Sequence, residues 1–183
     1  MTHETENHAK TQAAAQYQGI ATMLVALNCD FDRLEELRDE RENLVYDLNE
    51  ATNTAGASQT MQDAEKALAQ WDEENAQELN NLEHEAGKYT DADEVREALQ
   101  NDPLSVEFRS GWTLYGDTAT PEEFRIVLCT GGPAVQIRGE LDVHGAPYRA
   151  WLEYQDWGTP WMQFFDADQN TLLAYCQEFI FAM

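Results

Sequence analysis

The residues of this chain best able to do chemistry are four histidines, three cysteines, a Thr-Gly-Gly turn and a tryptophan-rich segment. His3 and His8 lie near the N-terminus, His84 sits between Glu83 and Glu85, and His144 lies within Asp142 to Pro147. A zinc protease needs HExxH, which sets two imidazoles on one helix face beside a carboxylate base. That motif is absent and no two histidines have metal-ligand spacing, so no metal site is expected. Cys29, Cys129 and Cys176 are an odd set without CxxC, each beside apolar neighbours. They read as small core residues in a reducing compartment, not as a disulfide framework. Thr130-Gly131-Gly132 invites comparison with a phosphate loop, but that loop runs from strand to glycines to helix, and here the next residues read as another strand. Glu153 and Asp156 could form an acid/base pair, yet nothing in the sequence supplies the desolvation or partner that would tune them. The expectation is a protein that is not an enzyme, with no catalytic residue and no cofactor.

Gln155-Asp156-Trp157-Gly158-Thr159-Pro160-Trp161 is the most specific local feature. Two rings flank a Gly-Thr-Pro turn, with Trp151, Tyr154, Phe164 and Phe165 close by. Either Trp157 and Trp161 form a partner-binding surface, or the rings cover the end of a sheet, since aromatic side chains bury large areas and tie down loops.

Charge carries more information. There are 35 acidic against 11 basic residues, a formal net charge of -24; a magnitude of roughly 2–8 is usual for a small domain. Nucleic acid and anionic membranes would be repelled. A basic partner, such as a protein that itself binds nucleic acid, would be attracted. The apolar stretch Ala13 to Leu27 is interrupted by Gln16, Gln18, Gly19 and Thr22 and is too polar to span a bilayer. Met1 to His8 carries acids and histidines instead of a basic n-region, so no signal peptide is expected and the cytoplasm is the expected location.

The elements that must display this charge change character near Pro103. Residues 1–102 hold 24 acids and 7 bases and no proline; residues 103–183 hold 11 acids, 4 bases and all five prolines. We therefore expect an α+β fold in three parts: a mobile tail over 1–16, an acidic helical region over 17–102, and an antiparallel sheet with a C-terminal helix over 103–183. With Leu34 at the centre of a helical wheel, Leu24, Leu27, Phe31, Leu37, Leu44, Val45 and Leu48 fall within about 80° of it. Asp32, Glu36, Asp39, Glu40, Asp47 and Glu50 fall opposite. Ala51 to Gln59 reads as a loop. A second helix over Met61 to Ala86 carries Met61, Ala64, Leu68, Trp71, Leu79, Leu82 and Ala86 on one stripe. Asp63, Glu73 and Glu74 point away from it, with Glu78 and Glu85 on its flanks. A short connection favours an antiparallel hairpin, and Gly87 reads as its stop. Arg41 and Asn75 are polar residues on these stripes; they either fix register or, for Arg41, reach the edge to pair with a carboxylate. Thr90 to Asp93 reads as the cap of a third, short helix ending at Asp102-Pro103.

In the second half, Ser105–Leu114, Glu123–Thr130, Ala134–Leu141 and Tyr148–Tyr154 read as four strands of an antiparallel meander. Both faces of Phe124 to Leu128 look apolar, which places that strand centrally. Asp168 or Asn170 caps a final helix whose stripe is Leu172, Leu173, Tyr175, Cys176 and Phe179.

The acid-bearing faces suggest nucleic-acid mimicry. Residues 28–50 hold nine acids and three bases, and residues 63–85 hold eight acids and one base. Side by side they present a net of -13 over about 34 Å. That is roughly one negative charge per 2.6 Å, against about 1.7 Å for duplex DNA. Two hairpins in a homodimer would match DNA. The mimic carboxylates would be Asp32, Glu36, Asp39, Glu40, Asp47, Glu50, Asp63, Glu73, Glu74, Glu78 and Glu85. The competing reading is that the charge only solvates exposed helices.

Glu123 to Val135 (EFRIVLCTGGPAV), Ala150 to Trp161 (AWLEYQDWGTPW) and Leu172 to Tyr175 (LLAY) resemble a family of small acidic proteins encoded on prophages, plasmids and integrated elements of Gram-negative bacteria. The resemblance covers residues 104–180. It brings no catalytic or binding residues with it, but it implies a setting in which small acidic inhibitors of restriction or CRISPR systems are common. The expectation is therefore an inhibitor occupying a basic surface of a host defence protein. The alternative is a non-mimetic interaction module that binds a protein through the aromatic loop.

Overall fold

The structure, a computed structural model, describes the backbone of residues 2–54 and 58–179 and, within those ranges, side chains from residue 8 onward. The element order is α1 (Thr2–Leu27), α2 (Phe31–Asn53), α3 (Ser58–Ala86), α4 (Ala92–Asn101), β1 (Ser105–Ser110), β2 (Pro121–Cys129), β3 (Ala134–Leu141), β4 (Pro147–Gln155), β5 (Met162–Gln163) and α5 (Gln169–Gln177). This is the expected α+β layout of helices, then an antiparallel meander, then a terminal helix. Residues 25–92 form one compact unit; residues 1–24 and 93–183 form the other. The boundaries expected at 16 and 102 are therefore not those of the units.

In the 25–92 unit, the single helix expected through Leu24 and Leu48 is broken at residues 28–30. The Asn28 and Cys29 N–H groups bond back to Val25 and Ala26, and the Asp30 side chain accepts the Arg33 N–H at 3.0 Å. An aspartate that satisfies an orphan donor of a new first turn competes with a continuous helix, and here it wins. The loop expected over Ala51 to Gln59 is shorter than thought. Ala51–Asn53 complete α2, Ser58 and Gln59 open α3, and residues 55–57 lie outside the described residues. The Thr52 hydroxyl bonds the Leu48 carbonyl, which lets a small polar residue remain helical. Gly87, at φ 59°, ends α3 as expected, with its N–H on Glu83.

In the other unit, residues 8–16 are not a loose tail. They are helical, and Ala9, Ala13 and Ile20 are fully buried. Alanines four apart make a stripe narrow enough for close packing, a signal easily taken for a polar segment. Lys10 ion-pairs with Asp166 at 3.2 Å, and the Asp168 N–H donates to the Tyr17 hydroxyl at 3.0 Å.

The sheet has the order β1-β2-β3-β4-β5, each neighbouring pair antiparallel. The first strand stops at Ser110 instead of Leu114, and the two-residue β5 was not foreseen. Strand β2 is interior, flanked by β1 and β3, and the middle strand of the five is β3. Along β2, Phe124, Ile126 and Leu128 are buried while Arg125 is exposed, so it alternates as a one-faced strand with Val127 as an apolar exception. Phe108, Phe124, Gly139 and Ala150 form one row across four strands. A Cβ at Gly139 would lie 2.2 Å from Phe124 Cζ and 2.3 Å from the Arg149 carbonyl, so only glycine admits that ring. Asp168 caps α5 by accepting the Thr171 N–H, and Leu172, Tyr175 and Cys176 are buried. The buried Tyr175 hydroxyl donates to Asp102 at 2.8 Å. Desolvation and that carboxylate push its pKa far up.

Candidate functional site: an acidic helical hairpin

Helices α2 and α3 are antiparallel. Going forward from Cys29 into α2, Cys29, Arg33 and Glu40 meet Leu82, Glu78 and Trp71, going backward along α3. Leu34, Leu37 and Leu79 are buried with Cys29 and Ala86, and Phe31, Trp71 and Leu82 pack against them. Few large side chains hold two helices bearing this much like charge, so the polar seam matters.

That seam uses all three arginines of α2. Arg33 bonds both carboxylate oxygens of Glu78 at 3.0 and 3.2 Å and holds Glu36 at 2.6 Å. Arg41 meets Asp72 at 3.0 Å, and Arg38 reaches Glu83 at 3.3 Å. The Trp71 indole donates to Glu40 at 2.9 Å. Arg33, above all through its hydrogen bonds, holds the Glu78 carboxyl below the usual carboxylate range. Arg41 therefore pairs at the edge, the simpler of its two readings, and the Asn75 amide bonds the Trp71 carbonyl within its own helix.

The eleven carboxylates singled out from sequence fall into distinct groups. Asp32, Asp39, Asp47, Glu50 and Glu73 are exposed and make no ion pair among the described residues. Asp63 and Glu74 are exposed and accept from Gln59 and Gln70 one turn away. Glu36, Glu40 and Glu78 belong to the seam, and Glu85 is half-buried. Glu35, Glu42 and Glu65, omitted from that set, are exposed too. The helical wheel assigned faces from one helix at a time. It could not show that the arginines would be consumed between helices, which leaves the outer carboxylates without an arginine partner among the described residues.

The aromatic loop is tightly built. Asp156 and Thr159 bond one another through backbone and hydroxyl, the Gln155 amide bonds the Thr159 carbonyl, and Gly158 takes φ 73°. Trp157 is 78% exposed yet lies across Gly132, where an added Cβ would sit 1.9 Å from its ring. Trp161, 39% exposed, borders a groove of about 400 Å³ on the polar face of the sheet. Trp157 thus covers one turn at the sheet end while showing most of its surface to solvent.

The polar sheet face was missed in the sequence. It carries all four basic residues of 103–183, each an arginine on a strand. Arg109 chelates Glu123, Arg138 joins the same carboxylate at 3.0 Å, Arg125 pairs with Glu107, and Arg149 with Glu140. Arg109, with help from Arg138, depresses the Glu123 carboxyl, and Arg125 depresses Glu107. The signal was available as Glu-x-Arg and Arg-x-Glu at residues 107–109, 123–125 and 138–140. That is the period-two spacing that puts opposite charges on one face of a strand.

Among the described residues, no group of three His, Cys, Asp or Glu side chains is placed to hold a metal, and no helix is long and apolar enough to cross a membrane. No family model, curated protein or solved structure matches the chain.

Proposed function

We propose that the α2–α3 hairpin acts as a nucleic-acid mimic, occupying the basic nucleic-acid-binding surface of a bacterial defence protein, of the restriction or CRISPR type, in the cytoplasm. The observation that carries this reading is the use of the α2 arginines inside the seam. Exposed carboxylates that no arginine holds among the described residues, including Asp32, Asp39, Asp47, Glu50, Asp63, Glu73 and Glu74, are then presented on the two helices. A rigid display of charge avoids much of the ordering cost that a disordered acidic tail incurs on binding. A groove evolved for phosphates at about 1.7 Å per charge would be attracted by this surface. The chain would act by occupancy, without catalysis and without a cofactor. The resemblance of residues 104–180 to proteins of mobile elements supports the setting. The test is transformation of a targeted plasmid into cells carrying a restriction or CRISPR system, with the chain supplied. Protection should be lost when the free carboxylates are removed; protection that persists unchanged in that variant would falsify mimicry.

The exposure of Trp157 and Trp161 favours a second reading, in which the aromatic loop binds a protein partner and acidity serves only solubility. Then Trp157→Ala with Trp161→Ala would abolish protection, and the hairpin variants would retain it.

A further inference from the structure

Strand β1 is an edge. Among the described residues it pairs with β2 on one side only, and its other row of backbone N–H and C=O groups has no strand beside it. Native proteins usually protect such an edge with charge, proline or a bulge turned outward, because an open edge is a template for another strand. Here the irregularity near Arg109/Ser110 comes from an extra residue on β2, so the free side of β1 stays regular. The flank is also apolar. Val106 and Phe108 lie on the inner face but remain exposed, Leu104 before the strand is 63% exposed, and Trp112 beyond it is fully exposed. For a chain of net charge -24, this is an unexpected place to show apolar surface.

We infer that β1 is the contact surface for a second copy of this chain, the two β1 strands pairing antiparallel about a twofold axis at Phe108 to give one continuous sheet. The sequence of the strand selects that register. A twofold axis normal to the sheet keeps inner-face residues of one copy beside inner-face residues of the other, so only same-parity pairings are allowed. Centred on Phe108, the pairing sets Glu107 opposite Arg109 of the other copy, twice, and Phe108 opposite Phe108. It also brings Leu104 opposite Trp112. Opposite charges and aromatic pairs are the favourable cross-strand combinations. Centred on Glu107 it would oppose two glutamates, and centred on Arg109 two arginines, both unfavourable. The Phe108 register alone among these three satisfies the charges and covers the exposed rings. Glu107 and Arg109 already pair with Arg125 and Glu123 within the chain. A carboxylate has about four acceptor sites and a guanidinium five donors, so each can take a second partner.

This inference rests on the sheet unit alone and does not depend on the hairpin reading. The two differ in salt response. Association of two chains of charge -24 is opposed by long-range repulsion, so added salt should strengthen the dimer, whereas it should weaken binding of the hairpin to a basic groove.

The test is sedimentation equilibrium and native mass spectrometry of the full chain in 0.05 M and 0.5 M NaCl, taken as roughly the limits of weak and strong screening. The wild type should be a dimer that tightens with salt. Arg109→Glu alone and Glu107→Arg alone should each weaken it on the order of 30-fold. An equimolar mixture of those two variants should form a one-to-one heterodimer, because each supplies the charge the other lost. As an independent reading, Phe108→Cys should cross-link to itself on oxidation. Opposed residues lie within about 5.5 Å, whereas Leu104→Cys residues would be roughly 27 Å apart and should not cross-link. A monomeric wild type in 0.5 M NaCl, undiminished dimerisation by both charge variants, or cross-linking at 104 in place of 108 overturns the proposal.

Discussion

Neutralising the carboxylates that no arginine holds is the most direct probe of the hairpin. Asp39→Asn, Asp47→Asn, Glu50→Gln and Glu73→Gln together take the hairpin from a net of -13 toward about -9, and its spacing from roughly one charge per 2.6 Å to one per 3.8 Å over the same length. All four side chains are exposed and outside the Arg33, Arg38 and Arg41 pairs. The buried contacts of Leu34, Leu37 and Leu79 are untouched, so helicity should be retained. An exposed opposite-charge contact at 4 Å is worth about 1 kcal/mol in high dielectric. Four lost contacts therefore cost on the order of 4 kcal/mol, close to a thousandfold in Kd. The assay is calorimetric titration against the restriction or CRISPR effector that the proposed function would require, beside a control carrying Asp117→Asn, Glu122→Gln and Asp166→Asn in the other unit. The control should lose less than about tenfold, since screened charges outside the interface act weakly. Equal losses in the two variants would mean that overall charge, and not the hairpin surface, governs binding, and the reasoning would be refuted.

Other consequences are independent of partner. Gly139→Ala should destabilise the sheet unit by about 1–3 kcal/mol or prevent its folding, because the new methyl group meets Phe124 and the Arg149 carbonyl; chemical denaturation reads this directly. Tyr175→Phe should cost about 1.5–3 kcal/mol by removing the bond to Asp102, with a cooperative melt preserved. Because the folded pKa of Tyr175 is raised, wild type should lose its advantage over that variant as pH climbs above the ordinary tyrosine value of roughly 10. Glu78 has the opposite sign: its folded pKa is lowered by Arg33, so the native state binds fewer protons there than the unfolded chain. The advantage of wild type over Arg33→Gln should be present above roughly pH 4.3 and fade as pH falls further, followed by thermal melts in acetate and formate. Gly132→Ala should displace the Trp157 ring, seen as a shift in its fluorescence, with little change in the melt.

Periodicity is local, and what it encodes was legible. The leucine stripe of α2, the stop at Gly87, the cap at Asp168 and the strands at Ala134–Leu141 and Tyr148–Tyr154 each depend on residues a few positions apart, whose preferences act before any tertiary contact. Two local signals were misread. The alanine stripe of α1 passed for a polar tail, and the Asp30 cap was hidden inside an apolar repeat that runs on through Leu24 and Leu48.

The count of acids and the helical sides on which they lie belong to the sequence. Which of them remain free does not. Arg33 meets Glu78 and Arg41 meets Asp72 only because the chain doubles back, and residues 45 and 31 positions apart have no local reason to be neighbours. The same holds for the sheet, where strand order decided that β3 is central, that four arginines share one face, and that β1 is left at an edge. Local preference set the elements and their charged faces; pairing between distant elements decided which charges are spent inside the fold and which remain on the surface.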